Sequence, residues 1–197
     1  MIKINNLKKT YSNGFQALKG IDLNIEKGKF FGLLGPNGAG KTTTIGILTG
    51  LINLTSGNVL VDGLDVIKDY KKTRKMIGLS PQEINLDVFF TIKELLIFQG
   101  GYYGLSLNQS KKRVEKILTD LGLEDKMDAK ARQLSGGMKR RVQIAKALVH
   151  DPEIIILDEP TAGVDIELRY LLWNSLKEMN KKQNKTLVLT THYIEEA

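Results

Sequence analysis

The sequence contains no cysteine. Disulfides, thiol nucleophiles and zinc or iron–sulfur centres built on cysteine are thereby excluded, and the absence agrees with a reducing compartment. Histidine is almost as scarce: only His150 and His192 occur, too few for a histidine-rich metal site. No apolar run approaches the ~18 residues of a membrane span, and the opening MIKINNLKKTYSNG lacks the apolar stretch of a signal peptide. Few aromatics are interleaved with the basic residues, so a formal charge of +7 does not point to stacked nucleic acid. The clusters KKTRK (71–75), KKR (111–113) and KRR (139–141) each read as the solvated face of a helix.

With 197 residues, 42% of them hydrophobic and 26% charged, the chain can build the core and the surface of one domain. IKINNLKKTY and ALKGIDLNIEKG alternate loosely, as strands do. FFGLLG (30–35) is a short apolar strand running into glycines, followed by the helical KTTTIGILTGL. TSGNVLVDGLDV reads as a strand with an Asp-Gly turn at 62–63, and MIGLSPQ (76–82) as a buried strand ended by Pro81. From Thr91 to about Asp128 the pattern becomes that of amphipathic helices, with Asn108 expected as a cap and Gly122 as a terminator. A helix from about Gly136 to Val149, a strand IIILD (154–158), a helix from about Glu167 to Asn180 and a strand TLVLTT (186–191) complete the pattern. The final YIEEA looks like the first turn of another helix. Strands alternating with helices imply a parallel or mixed sheet, here with a helical insertion.

GPNGAGKT, residues 35–42, fits G-x-x-x-x-G-K-T and lies between a strand and a helix, where a phosphate loop belongs. Gly35, Gly38 and Gly40 permit a tight loop whose backbone N–H groups converge on phosphate oxygens, and the helix N-terminus adds its own donors. Lys41 would reach the β- and γ-phosphates, and the Thr42 hydroxyl would ligate magnesium. Asp158 emerges at the end of the apolar IIIL run, where it can hold the same ion. Glu159 is then the candidate to orient and deprotonate the attacking water.

LSGGMKRR, residues 134–141, is a second anion-binding pattern: Ser135 can cap a helix whose bare glycines admit a ligand to the backbone. One chain has no evident second anion for it. The pattern makes sense if it serves ATP held by another copy of the protein.

In these features the sequence resembles the ATP-binding cassette family, the nucleotide-binding subunits of ABC transporters. GPNGAGKTT is similar to Walker A, IIILDE to Walker B, LSGGM to the signature with Met138 where glutamine is commonest, and AGVD (162–165) to the D-loop with Val164 where leucine is usual. Gln82 matches the Q-loop glutamine, His192 the switch histidine and Tyr11 the aromatic residue that stacks on adenine. The resemblance covers essentially the whole chain, and LSGGMKRR and PTAGVDIELR are most like ATPases of ABC-2 type exporters.

The resemblance implies an α/β fold, a P-loop NTPase core with a mixed, mainly parallel sheet, an N-terminal antiparallel β part and an inserted α-helical subdomain. The core would comprise 1–90 and 150–197, and the subdomain 91–149. It assigns nucleotide binding to Tyr11, Gly35, Pro36, Asn37, Gly38, Ala39, Gly40, Lys41, Thr42 and Thr43 and, from a second subunit, to Ser135, Gly136 and Gly137. Catalysis falls to Lys41, Gln82, Glu159 and His192, and Mg2+ to Thr42, Gln82 and Asp158. The implied assembly is a head-to-tail dimer with two shared ATP sites, peripheral on the cytoplasmic face of the cell membrane, driving a separate permease subunit. Phe89, Phe90, Phe98 and Tyr102 could line the groove that receives that subunit, or could pack the insertion.

Family members generally continue beyond the switch histidine, so a C-terminal truncation is expected of a chain that ends at Ala197. Chromosome-maintenance and DNA-repair relatives separate Walker A from the signature by long insertions, whereas Lys41 and Leu134 are 93 positions apart. A regulatory module without turnover is the remaining alternative, and the presence of Glu159 and His192 argues against it.

Overall fold

A computed structural model describes residues 1–161 and 166–191. His192, the D-loop at 162–165 and the helix expected from YIEEA lie outside the described residues. In chain order the strands are β1 (Ile2–Thr10), β2 (Gln16–Ile25), β3 (Phe30–Leu34), β4 (Ser56–Val61), β5 (Leu64–Asp65), β6 (Ile77–Ser80), β7 (Ile154–Asp158) and β8 (Thr186–Thr191). The helices are α1 (Lys41–Leu48), α2 (Tyr70–Met76), α3 (Ile92–Tyr102), α4 (Leu107–Asp120), α5 (Gly136–Leu148) and α6 (Ile166–Gln183).

Strand β1 buries Ile2, Ile4 and Leu7, a spacing that breaks the two-residue period. The extra residue is absorbed at Asn6, which takes a left-handed φ of 45° and donates its N–H to Asp22 Oδ1. The register with β2 shifts there, so Leu7 returns to the core face. Strands β4 and β5 close a two-residue hairpin at Asp62 and Gly63, whose φ values of 52° and 80° suit the Asp-Gly pair. These four strands form an antiparallel sheet in the order β2-β1-β4-β5.

The second sheet has the order β3-β8-β7-β6, and every pairing in it is parallel. Its central strands are buried on both faces, which is why they read as unbroken apolar runs. Ile155, Leu157, Leu187 and Leu189 face a core shared with the helices, whereas Ile154, Ile156 and Val188 face a second core shared with α1 and the antiparallel sheet. The fold is thus the expected P-loop α/β class with an N-terminal antiparallel sheet and a helical subdomain.

Helices α3, α4 and α5 surround Leu96, Val114, Leu118 and Ile144. Thr91 and Glu94 form a reciprocal capping box at α3. The cap of α4 is Ser106, not Asn108: Ser106 Oγ accepts the Gln109 N–H while Gln109 Oε1 accepts the Ser106 N–H. Asn108 therefore lies inside the first turn. Gly122 ends α4 as expected, with φ 61° and the paired bonds Leu123 N–H to Leu118 O and Gly122 N–H to Thr119 O.

The KKTRK cluster is the solvated face of helix α2, as expected; only Thr73 of the seven residues is buried, so no apolar stripe marks where the helix begins and ends. Helix α6 runs three residues past the expected Asn180. The KRR cluster is not a solvated face. Arg140 is buried with Nη1 on Pro81 O, and Arg141 donates to Leu121 O and Gly122 O.

His150 follows α5 and stacks on Tyr103, with ring centroids 3.5 Å apart and planes 4° from parallel. Its Nε2 lies 3.1 Å from Ile77 O. Burial lowers its pKa from 6.5 to about 4, against the opposing pull of the Ile77 carbonyl. Between these pH values the unfolded chain binds a proton that the folded chain does not. Stability is therefore full above about pH 6.5 and is lost as pH falls toward 4, by on the order of 2 kcal/mol after allowance for partial exposure. His150→Phe keeps a stacking ring and removes the titration. Urea unfolding at about pH 7 and 4.5 should show the variant losing roughly 2 kcal/mol less than the parent. Equal losses would contradict this account.

Candidate functional site

Strand β3 ends at Leu34, and the chain turns through residues 35–40 into α1. Gly40, at the helix N-cap, has φ 87°, and a Cβ there would lie 2.5 Å from Leu18 Cδ2 and 3.0 Å from Ala17 O. Conformation and the approach of β2 both require glycine at this point. No side chain caps α1, so its first amides remain available to an anion. The Lys41 side chain is buried and folds back over the loop, donating from Nζ to Gly35 O and to Pro36 O, the latter at 3.1 Å. A cavity of about 150 Å³ lies over this loop, lined by Asn37 through Thr43 and also by Gln82 and Glu159. The phosphate cradle and two distant polar residues thus share one space.

The parallel topology explains the convergence. Gln82 follows β6, Asp158 ends β7 and the cradle follows β3, so all three lie at the carboxyl edge of one sheet. Asp158 is buried, and its two oxygens accept from Thr190 Oγ1 at 2.5 Å and Thr42 Oγ1 at 3.3 Å. Glu159 is also buried, with a left-handed φ of 49° that is unusual for a non-glycine residue. Its N–H is held by Thr190 O and Oγ1, which aims its side chain back toward the cradle. Gln82 Nε2 donates to Glu159 Oε2 at 2.9 Å.

This donor set suits magnesium. Thr42 and Asp158 present hard oxygens to each other across 3.3 Å, and the amide oxygen of Gln82 is the end not used on Glu159. Among the described residues there is no group of three or more His, Cys, Asp or Glu side chains that could cage a metal. A site of this kind fits an ion that keeps waters and takes the rest of its shell from substrate phosphates.

Tyr11 OH lies 3.3 Å from Thr43 Oγ1, and Lys9 Nζ sits 5.0 Å from the centre of its ring. Tyr11 therefore stands beside the cradle. Phe15 and Ala17 line the cavity itself and were not identified from sequence. The signal for Phe15 was an exposed aromatic in the turn between two strands.

Ser135 caps α5 as expected, its Oγ accepting the Met138 N–H. Ser135, Gly136 and Gly137 do not line the cradle of their own chain. A Cβ on Gly136 would meet nothing within 4 Å, so packing inside this chain does not demand glycine there.

A larger cavity of about 630 Å³ separates the helical subdomain from the parallel sheet. Phe90, Phe98 and Tyr102 line it, with Phe90 and Phe98 edge to face at 5.0 Å. Phe89 is 79% exposed and does not line it. The residues after β6 turn Phe89 outward as Phe90 turns in.

An α/β domain of the P-loop fold, with an antiparallel sheet and a helical subdomain, is the class that this architecture defines. A family model described as ABC transporter matches residues 18–162, and the chain belongs to that family. It is an ABC transporter nucleotide-binding domain similar to ABC-2 exporter ATPases. The Nod factor export ATP-binding protein I of Cupriavidus metallidurans is 43% identical over 197 residues, covering 100% of this chain and 64% of its own length. The linearmycin resistance ATP-binding protein LnrL of Bacillus subtilis is 43% identical over 196 residues, covering 100% of this chain and 62% of its own. The chain thus spans less than two thirds of these relatives. A bacterial ABC transporter cassette solved as a dimer superposes with a TM-score of 0.91 at 34% identity, covering 99% of this chain and 89% of that one.

Proposed function

We propose that the chain binds Mg-ATP at the 35–43 cradle and hydrolyses it as the motor subunit of an exporter. The observation that carries this reading is the single cavity that joins the phosphate loop to Gln82 and Glu159. Backbone amides of residues 38–43 and the Lys41 ammonium hold the β- and γ-phosphates. Thr42, Asp158 and Gln82 would hold magnesium, which would supply charge neutralisation to the phosphates. Glu159 orients water in line with the γ-phosphate and takes its proton, while His192 contacts that phosphate. Tyr11 stacks on adenine.

Two copies face head to tail, so that Ser135, Gly136 and Gly137 of one close over ATP held by the other. The open space beside Gly136 and its separation from its own cradle support this arrangement, as does a related cassette solved as a dimer bound to ADP and Pi. Segments 1–90 and 150–197 form the core of one cassette and 91–149 its helical arm. The cavity lined by Phe90, Phe98 and Tyr102 receives a separate membrane subunit at the cytoplasmic face of the membrane, and closure of the dimer drives export through it.

Light-scattering mass of the Glu159→Gln chain tests the shared-site reading. A monomer that becomes a dimer only with Mg-ATP is the expected result. A persistent monomer with ATP demonstrably bound would contradict it.

A further inference from the structure

Between Pro81 and Phe90 the chain forms no helix or strand, so something outside the segment must fix it. Helix α5 supplies that hold. Arg140, Gln143 and Lys146 recur every three residues along one face of α5. Each donates to an alternate main-chain carbonyl of the segment. Arg140 Nη1 reaches Pro81 O at 2.9 Å, Gln143 Nε2 reaches Glu83 O at 3.5 Å, and Lys146 Nζ reaches Asn85 O at 3.3 Å. Arg140 and Gln143 are only 4% and 3% exposed, depths at which unpaired polar groups are costly.

The layer is not a simple stability device. Among the described residues, Arg140 Nε, Gln143 Oε1 and Ser80 Oγ have no hydrogen-bond partner. A buried charge with spare polar atoms around it stabilises less than an apolar face would. What the ladder does supply is register. The residue between its first two rungs is Gln82, whose amide grips Glu159 Oε2. Burial lowers the pKa of the Arg140 guanidinium, and the nearby charges of Asp158 and Glu159 partly offset that cost.

We propose that Arg140, assisted by Gln143 and Lys146, is a positioning residue for hydrolysis: it ties the helix carrying Ser135 and Gly136 to Gln82, and through Gln82 to the Glu159 carboxylate. Contact of the α5 N-terminus with nucleotide on a second copy is then transmitted within the same chain to its own Glu159. The proposal rests on the reading of Glu159 as the group that activates water.

Steady-state ATPase measurements on Arg140→Met, Arg140→Lys and Gln143→Met test it, beside binding of a fluorescent ATP analogue and thermal melting. Arg140→Met should lower kcat about 10–100-fold with KM within roughly threefold, as expected when only transition-state geometry is disturbed. Arg140→Lys keeps a cationic donor and should recover most of the loss, while Gln143→Met should show a smaller fall of the same kind.

Because the chain lacks cysteine, Ile84→Cys accepts a single spin label between the second and third carbonyls. That label should be immobilised in the parent ladder and mobile with Arg140→Met. Unchanged label mobility with Arg140→Met, or kcat within twofold of the parent, would overturn the proposal. So would a kcat loss matched by KM and melting temperature and not rescued by lysine. If Arg140→Met does not fold, Gln143→Met and Arg140→Lys carry the same comparison. Failure of the underlying reading is distinguishable, because it appears as full turnover in Glu159→Gln while the label still reports the ladder.

Discussion

Replacing Glu159 by glutamine should lower ATP turnover by ~10²–10⁴-fold while leaving Mg-ATP affinity within about threefold. The substitution keeps the shape of the side chain and an oxygen for the Gln82 amide, which now donates at 2.9 Å. It removes only the ability to accept a proton. The backbone there already carries a left-handed φ of 49° and a double hold on its N–H from Thr190, neither of which depends on the carboxylate. The folded site should therefore survive, and kcat should fall with little change in KM. A loss below about tenfold would mean that phosphate and magnesium supply nearly all of the catalysis and that Glu159 only shapes the cavity.

Lys41→Ala should act at an earlier step and weaken both binding and turnover. Charge-assisted hydrogen bonds to phosphate contribute about 1.5–3 kcal/mol each, so affinity should fall roughly 10–100-fold. A further ~10²–10³-fold should be lost from kcat, because the ammonium is also a donor to charge that develops on the γ-phosphate. The side chain now spans the loop from Gly35 O to Pro36 O, so its removal also frees two carbonyls. That effect is separable by melting without nucleotide, where a change of about 1 kcal/mol is expected. Binding of a fluorescent ATP analogue and steady-state kinetics on the same preparation distinguish the two variants. Glu159→Gln binds without turning over, and Lys41→Ala does neither.

The parts of the site carried by local sequence were legible without coordinates. The cradle needs glycines at fixed offsets and a lysine at the helix start, and Gly38 and Gly40 do take left-handed φ values. The apolar IIIL run announced a strand buried on both faces, and Asp158 stands at its end. Ser135 was readable as a cap because capping is a contact three residues long.

What failed was what local pattern does not encode. Asn108 and Ser106 are both acceptable caps, and only the reciprocal bond from Gln109 decides between them. Helix α2 buries one residue, so its charged KKTRK face was legible but no apolar stripe marked its bounds. KRR looked solvated because charge usually is, yet Arg140 is buried against a carbonyl 59 positions earlier in the chain. Phe15 reaches the cavity only because the β1–β2 turn lies over it. The link from α5 through Gln82 to Glu159 depends on three elements meeting in space, and no spacing in the sequence could reveal it.

The central claim is that each ATP site needs two copies of the chain, and mixed-variant ATPase activity tests it most directly. Lys41→Ala destroys the cradle and leaves the signature. Gly136→Trp fills the open space at the signature and leaves the cradle. Each variant alone should be inactive. Mixed in equal amounts, half of the dimers pair one of each, and such a dimer holds one intact site of two. The mixture should then recover roughly a quarter of the parent activity, as a two-fold assembly requires. No recovery, or substantial activity of Gly136→Trp alone, would place the whole site within one chain and contradict the account.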